Sequence, residues 1–256
     1  MNRKLLAVFA HPDDEAFGPG GTLAKYASTG VEINLLCATR GEAGLWDEKS
    51  RLETLTAQAG RNLKLEKEAK IHHVREEELL KSAAILGIKK VEFLDYIDGT
   101  LSNSIYHEIA GKIIKKIKEF QPQVLLTTER LGVSGHLDHI AISMITTYSY
   151  LHCQYKVNKL YYHCLPKERR EKELDDYFVY FPEGYDQKDI TTRIDFSDFW
   201  DKKEAATKCH QSQLHDVVRI LRRWEGQPKV DHYILQLHQS VKINLPETDL
   251  FAGIGH

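Results

Sequence analysis

The chain is predicted to be an α/β protein with a mostly parallel sheet and a C-terminal extension. Three observations carry this. Apolar runs at residues 5–10, 31–39, 91–96 and 124–128 have the length and composition of buried strands. Helix-like segments separate them, as in βαβ units. Polar clusters follow the runs, where ligands gather beyond the carboxyl ends of parallel strands.

Residues 5–10 are apolar throughout, which suits a strand covered on both faces. Thr22 is expected to cap a helix through residues 23–27, and Gly30 to stop it. Residues 31–39 make the second strand, and Arg40-Gly41-Glu42-Ala43-Gly44 a polar turn. Residues 46–73 are long and charged, with no clean repeat. They read either as an insertion forming a lid at the mouth of the strands or as a surface helix outside the chemistry. Over residues 75–86, Leu79, Leu80, Ala83, Ala84 and Leu86 recur at helical spacing, and Gly87 ends that helix. The third strand, 91–96, leads to Asp98-Gly99. Ile105, Ile109, Ile113, Ile114 and Ile117 mark an amphipathic helix that stops before Pro122. The fourth strand, 124–128, runs into a loop over 129–136 and an apolar helix over 139–151. Further on, 159–165 and 190–196 read as strands, 167–176 as an exposed charged segment, and 199–224 as one long helix. No linker, repeat or low-complexity tract divides the chain. It reads as one domain, 1–256, with a core over 1–165 and an extension over 166–256.

With 256 residues, 42% of them hydrophobic, the chain can bury a sizeable core. Its net charge of -2, with acids and bases mixed, argues against a nucleic-acid or anionic-membrane partner. The N-terminal apolar run is shorter than the about 7–15 residues of a secretory signal, and nothing approaches the ~18–20 of a membrane span. Cys37, Cys153, Cys164 and Cys209 are widely spaced with no C-x-x-C, as for reduced thiols. A cytoplasmic location is expected; a homo-oligomer is compatible with the sequence.

Two clusters carry chemistry. Ala10-His11-Pro12-Asp13-Asp14-Glu15 follows the first strand, and His136-Leu137-Asp138-His139 follows the fourth. His11, Asp14 and one histidine of the second cluster make a donor set that suits zinc with one position open for water. Such water has its pKa lowered towards about 7. Asp13, beside a ligand, is placed to take its proton. The second histidine could stabilise the oxyanion of an attacked amide, with Asp138 orienting that ring. As bland alternatives, the acids could favour helix N-termini. Iron is compatible with the same donors, so a non-haem iron oxygenase is one rival. A nucleotide-binding module is another, suggested by Gly18-Pro19-Gly20-Gly21. These glycines begin too late after the strand, and Leu23 stands where the third glycine belongs.

The sequence also resembles the LmbE-like family, the PIG-L deacetylases. The resemblance rests on Ala10 to Glu15 with Gly20-Gly21-Thr22-Leu23-Ala24, on residues 39–44, and on Arg75-Glu76-Glu77-Glu78 ahead of Ala83-Ala84-Ile85-Leu86-Gly87. Asp98-Gly99, Gly135-His136-Leu137-Asp138-His139, and Lys203 with Ala206, His210, Ser212 and Gln213 extend it. It implies a Rossmann-like three-layer fold and zinc-dependent removal of N-acetyl groups from small N-acetylglucosamine-type conjugates. Carried over by position, His11, Asp14 and His139 would hold the metal, with Fe2+ an alternative to Zn2+. Asp13 would be the general base, and His136 would polarise the carbonyl. Arg75, Asp98 and Arg40 would contact substrate. Leu137 stands where the family usually has proline, and residues 45–74 are longer than the family pattern. Glu15 receives no role.

Overall fold

The computed structural model describes residues 3–44, 61–170 and 180–255, with backbone alone for 61–70. The role expected for 45–74 falls largely outside the described residues.

The elements alternate through the first two thirds of the chain. They are β1 (Lys4–Phe9), the one-turn α1 (Asp14–Phe17), α2 (Gly20–Ser28), β2 (Glu32–Thr39), α3 (Arg61–Leu86) and β3 (Lys90–Tyr96). Then come α4 (Tyr106–Phe120), β4 (Val124–Thr128), α5 (Leu137–His152) and β5 (Lys159–Cys164). The extension adds β6 (Thr192–Asp195), α6 (Trp200–Thr207), α7 (Leu214–Arg223) and β7 (Val230–His238).

Among the described residues, seven strands join one sheet in the order β3-β2-β1-β4-β5-β7-β6. The first five are parallel; β7 pairs antiparallel with both β5 and β6. Strand order reverses between β1 and β4, where Leu5 lies beside Val124 and Ala7 beside Leu126. That switch point opens a crevice at the carboxyl edge.

Side chains alternate across the strands, so each strand feeds two cores. Leu5, Ala7, Phe9, Ile33 and Leu35 pack with Leu23, Leu79 and Leu86 of α2 and α3. Leu6, Val8, Leu36 and Leu125 pack with Ile109, Ile113, Ile117, Ile142 and Ile145 of α4 and α5. Each such aliphatic side chain contributes about 1.5–3 kcal/mol on burial. The result is three layers, helix–sheet–helix, as expected. Among the described residues, no helix is long and apolar enough to cross a membrane.

Three expectations are corrected. Thr22 is no helix cap: α2 starts at Gly20 behind Pro19, and the Thr22 hydroxyl instead donates to Asp231 Oδ2 at 2.8 Å. Residues 199–224 are not one helix. The chain breaks after α6 because His210 and Ser212 turn inward to bond buried Glu15 and Glu78. β7 was not expected at all, yet it holds the extension onto the sheet.

The candidate metal centre and its cleft

β1, β2, β3 and β4 end at one edge, and the sequence clusters follow directly from their ends. His11 and Asp14 come from the β1 turn. His136, Asp138 and His139 come from the start of α5, where His136 is the N-cap and its Nδ1 accepts the Asp138 N–H. That loop is shaped by buried Glu129, whose carboxylate takes the N–H groups of Leu131 and Val133 at 2.6 Å each. These bonds hold Val133 at φ 60°, a strained conformation for a β-branched residue.

His11 Nδ1 lies 3.0 Å from His139 Nε2, and His139 Nε2 lies 3.1 Å from Asp14 Oδ1. The outer atoms of all three groups are already engaged. His11 Nε2 faces Asp98 Oδ1 at 2.9 Å and Asp138 Oδ2 at 3.3 Å. His139 Nδ1 faces the Gly132 carbonyl at 3.0 Å. Asp14 Oδ2 takes the N–H groups of Ala10 and His11. In the neutral tautomers these bonds would turn the ring protons outward and leave the two facing nitrogens and Asp14 Oδ1 as lone-pair donors toward one another. A cation fits that arrangement, and two nitrogens with one carboxylate suit zinc. Burial opposes charge on all three groups. Even so, Asp98 and Asp138 raise the pKa of His11, Asp14 raises that of His139, and His139 holds Asp14 well below the usual carboxylate range.

Asp13 stands beside this group at φ 117°. Its backbone N–H donates to Glu15 Oε2 at 3.1 Å, and its Oδ2 accepts from Arg75 Nη2 at 2.8 Å. Burial pushes its carboxyl up to about 7, against the pull of Arg75. Burial, then the charges of His11 and His139, lower His136 to about 4. With Nδ1 accepting the Asp138 N–H, the neutral ring carries its proton on Nε2 and can donate it.

The remaining expected residues divide. Asp138 is fully buried, and its carboxylate takes the Gly99 and Leu101 N–H groups and faces His11, not His136. Asp98 also pairs with His11. Arg75 is 4% exposed and binds the Pro12 and Gly41 carbonyls besides Asp13. A Cβ on Gly41 or Gly44 would lie 2.5 or 2.2 Å from this guanidinium, which explains the two glycines of that turn. Arg40 pairs with Glu76 and Asp95 over the Phe93 ring, and it does not line the cleft. Gly20 and Gly21 lie inside α2, and a Cβ on Gly21 would strike the Phe196 ring. They serve packing rather than a phosphate loop.

Glu15 gains a place. Its Oε1 lies 2.8 Å from His210 Nε2 and accepts from Ser82 Oγ at 2.5 Å. In the sequence His210 stands out only through its motif, and a third acid directly after two candidate active-site acids is the signal for its partner. The cleft, about 310 Å³, is lined by His11, Asp13, Asp14, Arg75, Asp98, His136 and His139 at the metal end. Its lining also includes Gly18 and, without any sequence signal, Phe17, His163, Leu165, Phe181 and Ile220.

A three-layer α/β fold that gathers imidazoles and carboxylates at its switch point is the setting of a carbon–nitrogen hydrolase with a candidate metal site. The chain belongs to the PIG-L family, described as GlcNAc-PI de-N-acetylase, whose model matches residues 6–149. It is 28% identical to a mycothiol S-conjugate amidase of Streptomyces coelicolor, covering 98% of this chain and 97% of that one. It is 29% identical to a 1D-myo-inositol 2-acetamido-2-deoxy-alpha-D-glucopyranoside deacetylase of Actinosynnema mirum, again over 98% and 97%. Among solved structures, N,N'-diacetylchitobiose deacetylase of Pyrococcus horikoshii matches with a TM-score of 0.62 and 23% identity, over 90% of this chain and 82% of that one. The 4-carboxy-2-hydroxymuconate hydratase of Pseudomonas putida matches at 0.66 and 19% identity, over 94% and 99%. A hydratase on the same fold means that the site, not the fold, must carry the choice of reaction.

Proposed function

We propose that this chain is a cytoplasmic, zinc-dependent enzyme that removes the acetyl group from a small N-acetylglucosamine conjugate. The observation that carries the reading is the convergence of His11 Nδ1, His139 Nε2 and Asp14 Oδ1 beside Asp13. Zinc held by these three would polarise the acetamide carbonyl and lower the pKa of water.

The chain's own groups do the rest. Asp13 accepts the proton of the attacking water; its elevated pKa suits a group that must then give that proton up. A carbon–oxygen bond forms at the carbonyl, and charge grows on the carbonyl oxygen. His136 donates its Nε2–H there. The carbon–nitrogen bond breaks, Asp13 returns the proton to the departing amine, and acetate and the free amino sugar leave. Arg75 holds the Asp13 carboxylate in place. Asp98 and Asp138 hold His11, as carboxylates do for metal-binding imidazoles. Iron in the same donors is compatible with this proton route, whereas an oxygenase would leave Asp13 without a task.

An acetate-release assay on a panel of N-acetylglucosamine glycosides, with zinc and iron content measured alongside, tests the reading. Acetate should appear in step with metal occupancy. No acetate from any glycoside in a metal-loaded protein would overturn the proposal.

A further inference from the structure

His163, one residue before the end of β5, lies at the same sheet edge beside Thr128 of β4. It lines the cleft but lies outside the convergent donors. The residue is only 5% exposed, yet among the described residues its ring nitrogens have no hydrogen-bond partner. The ring's one recorded aromatic contact is edge-on to Tyr233, with centroids 5.7 Å apart. The ring is buried as a whole while it lines the cleft, so its polar edge is open to a group bound there.

Gly18 gives the second observation. A Cβ there would lie 3.3 Å from His163 Nδ1 and 2.8 Å from the Asp14 carbonyl oxygen. Any side chain at position 18 would crowd the nitrogen that faces it. The absence of one leaves His163 open to the cleft.

We propose that His163, across from Gly18, forms a subsite that hydrogen-bonds a hydroxyl of the ring attached to the anomeric oxygen of the sugar. The inference deepens the deacetylase reading and rests on it. A neutral imidazole offers one N–H donor and one lone pair, which a hydroxyl can match with its own lone pair and proton. Burial and the nearby charge of Lys203 keep the ring neutral. Leu165, Phe181 and Ile220 line the same cleft. Apolar walls with one neutral polar group suit the C–H faces and hydroxyls of a polyhydroxylated ring.

The test uses the zinc-loaded full chain with His163→Phe and His163→Gln. The substrates are N-acetylglucosaminyl-inositol and methyl N-acetylglucosaminide, and glucosaminyl-inositol serves as a calorimetric ligand. In His163→Phe, KM for the inositol glycoside should rise and calorimetric affinity fall by about fivefold to tenfold, the worth of one neutral hydrogen bond. The kcat should hold. His163→Gln should recover part of the loss, and the methyl glycoside should show no difference between variants. Unchanged KM and affinity in His163→Phe, or an equal loss on the methyl glycoside, would overturn the subsite. So would a fall in kcat alone. Should His163→Phe unfold, His163→Gln decides by the same comparison against the methyl glycoside. Absence of acetate from wild type sinks the deacetylase reading separately, and calorimetry still decides the subsite: glucosaminyl-inositol must bind and must weaken in His163→Phe.

Discussion

In the parallel part of the sheet, every convergent donor leaves the end of a strand: His11 and Asp14 after β1, His139 at the start of the helix after β4. Where β5 meets the antiparallel part and the extension, buried charges find partners away from the cleft. Lys159 Nζ meets Glu247 at 2.6 Å, and the Tyr161 hydroxyl donates to the same carboxylate. Lys203 caps the Ala16 and Gly18 carbonyls, and Asp231 accepts from Thr22. One part concentrates groups that ask for a cation; the other ties the chain down behind them. Chemistry and support are thus separable by mutation, and the contact between the two parts can be probed on its own.

The largest effect is expected from His139→Ala. Removing one of three donors should strip the zinc and take acetate release to background. Zinc should also no longer raise the melting temperature, an increment worth about 2.7 kcal/mol at a hundredfold excess over Kd. Full zinc occupancy in this variant would break the donor assignment. Asp13→Asn should keep the metal and lose about 10²–10⁴-fold in kcat, the usual worth of a general base. A near-wild-type rate would remove Asp13 from the proton route.

The parallel part was legible because its code is local. Apolar runs such as residues 5–10 and 124–128 name the strands, and the polar cluster behind each names the edge. The antiparallel part hid for physical reasons. β7 carries Asp231 and His232 within its strand, and buried acid there breaks the apolar pattern of a sheet strand. The break after α6 has neither glycine nor proline, because inward bonds from His210 and Ser212 make it. The target of Asp138 was misread for a third reason. Helix phase at the start of α5 decides whether its carboxylate meets His11 or His136, and spacing alone does not report it.

Lys159→Met tests the separation from the supporting side. It leaves Glu247 buried without its cation, which should cost about 3–5 kcal/mol. Urea unfolding should show that loss while zinc affinity holds. A parallel fall in zinc affinity would mean that the two parts are not separable. Asp138→Asn tests it from the other side. Weakening the hold on His11 should lower zinc affinity about 10–100-fold, read by chelator competition.

The smallest effect belongs to the contact between the parts. His210, on the turn between α6 and α7, bonds Glu15, and Glu15 accepts the N–H of Asp13 at φ 117°. Backbone in that region costs of order 1–3 kcal/mol and persists only while its surroundings enforce it. His210→Gln can still donate to Glu15; His210→Ala cannot and leaves a buried carboxylate short of a partner. The alanine variant should therefore lose about 1–3 kcal/mol of stability. Its kcat should fall more than its KM rises, because Asp13 loses its fixed orientation while the donors keep theirs. Glutamine should restore most of both. If the alanine variant loses stability but keeps kcat, the extension only braces the fold, and the orientation of Asp13 rests on Arg75 alone.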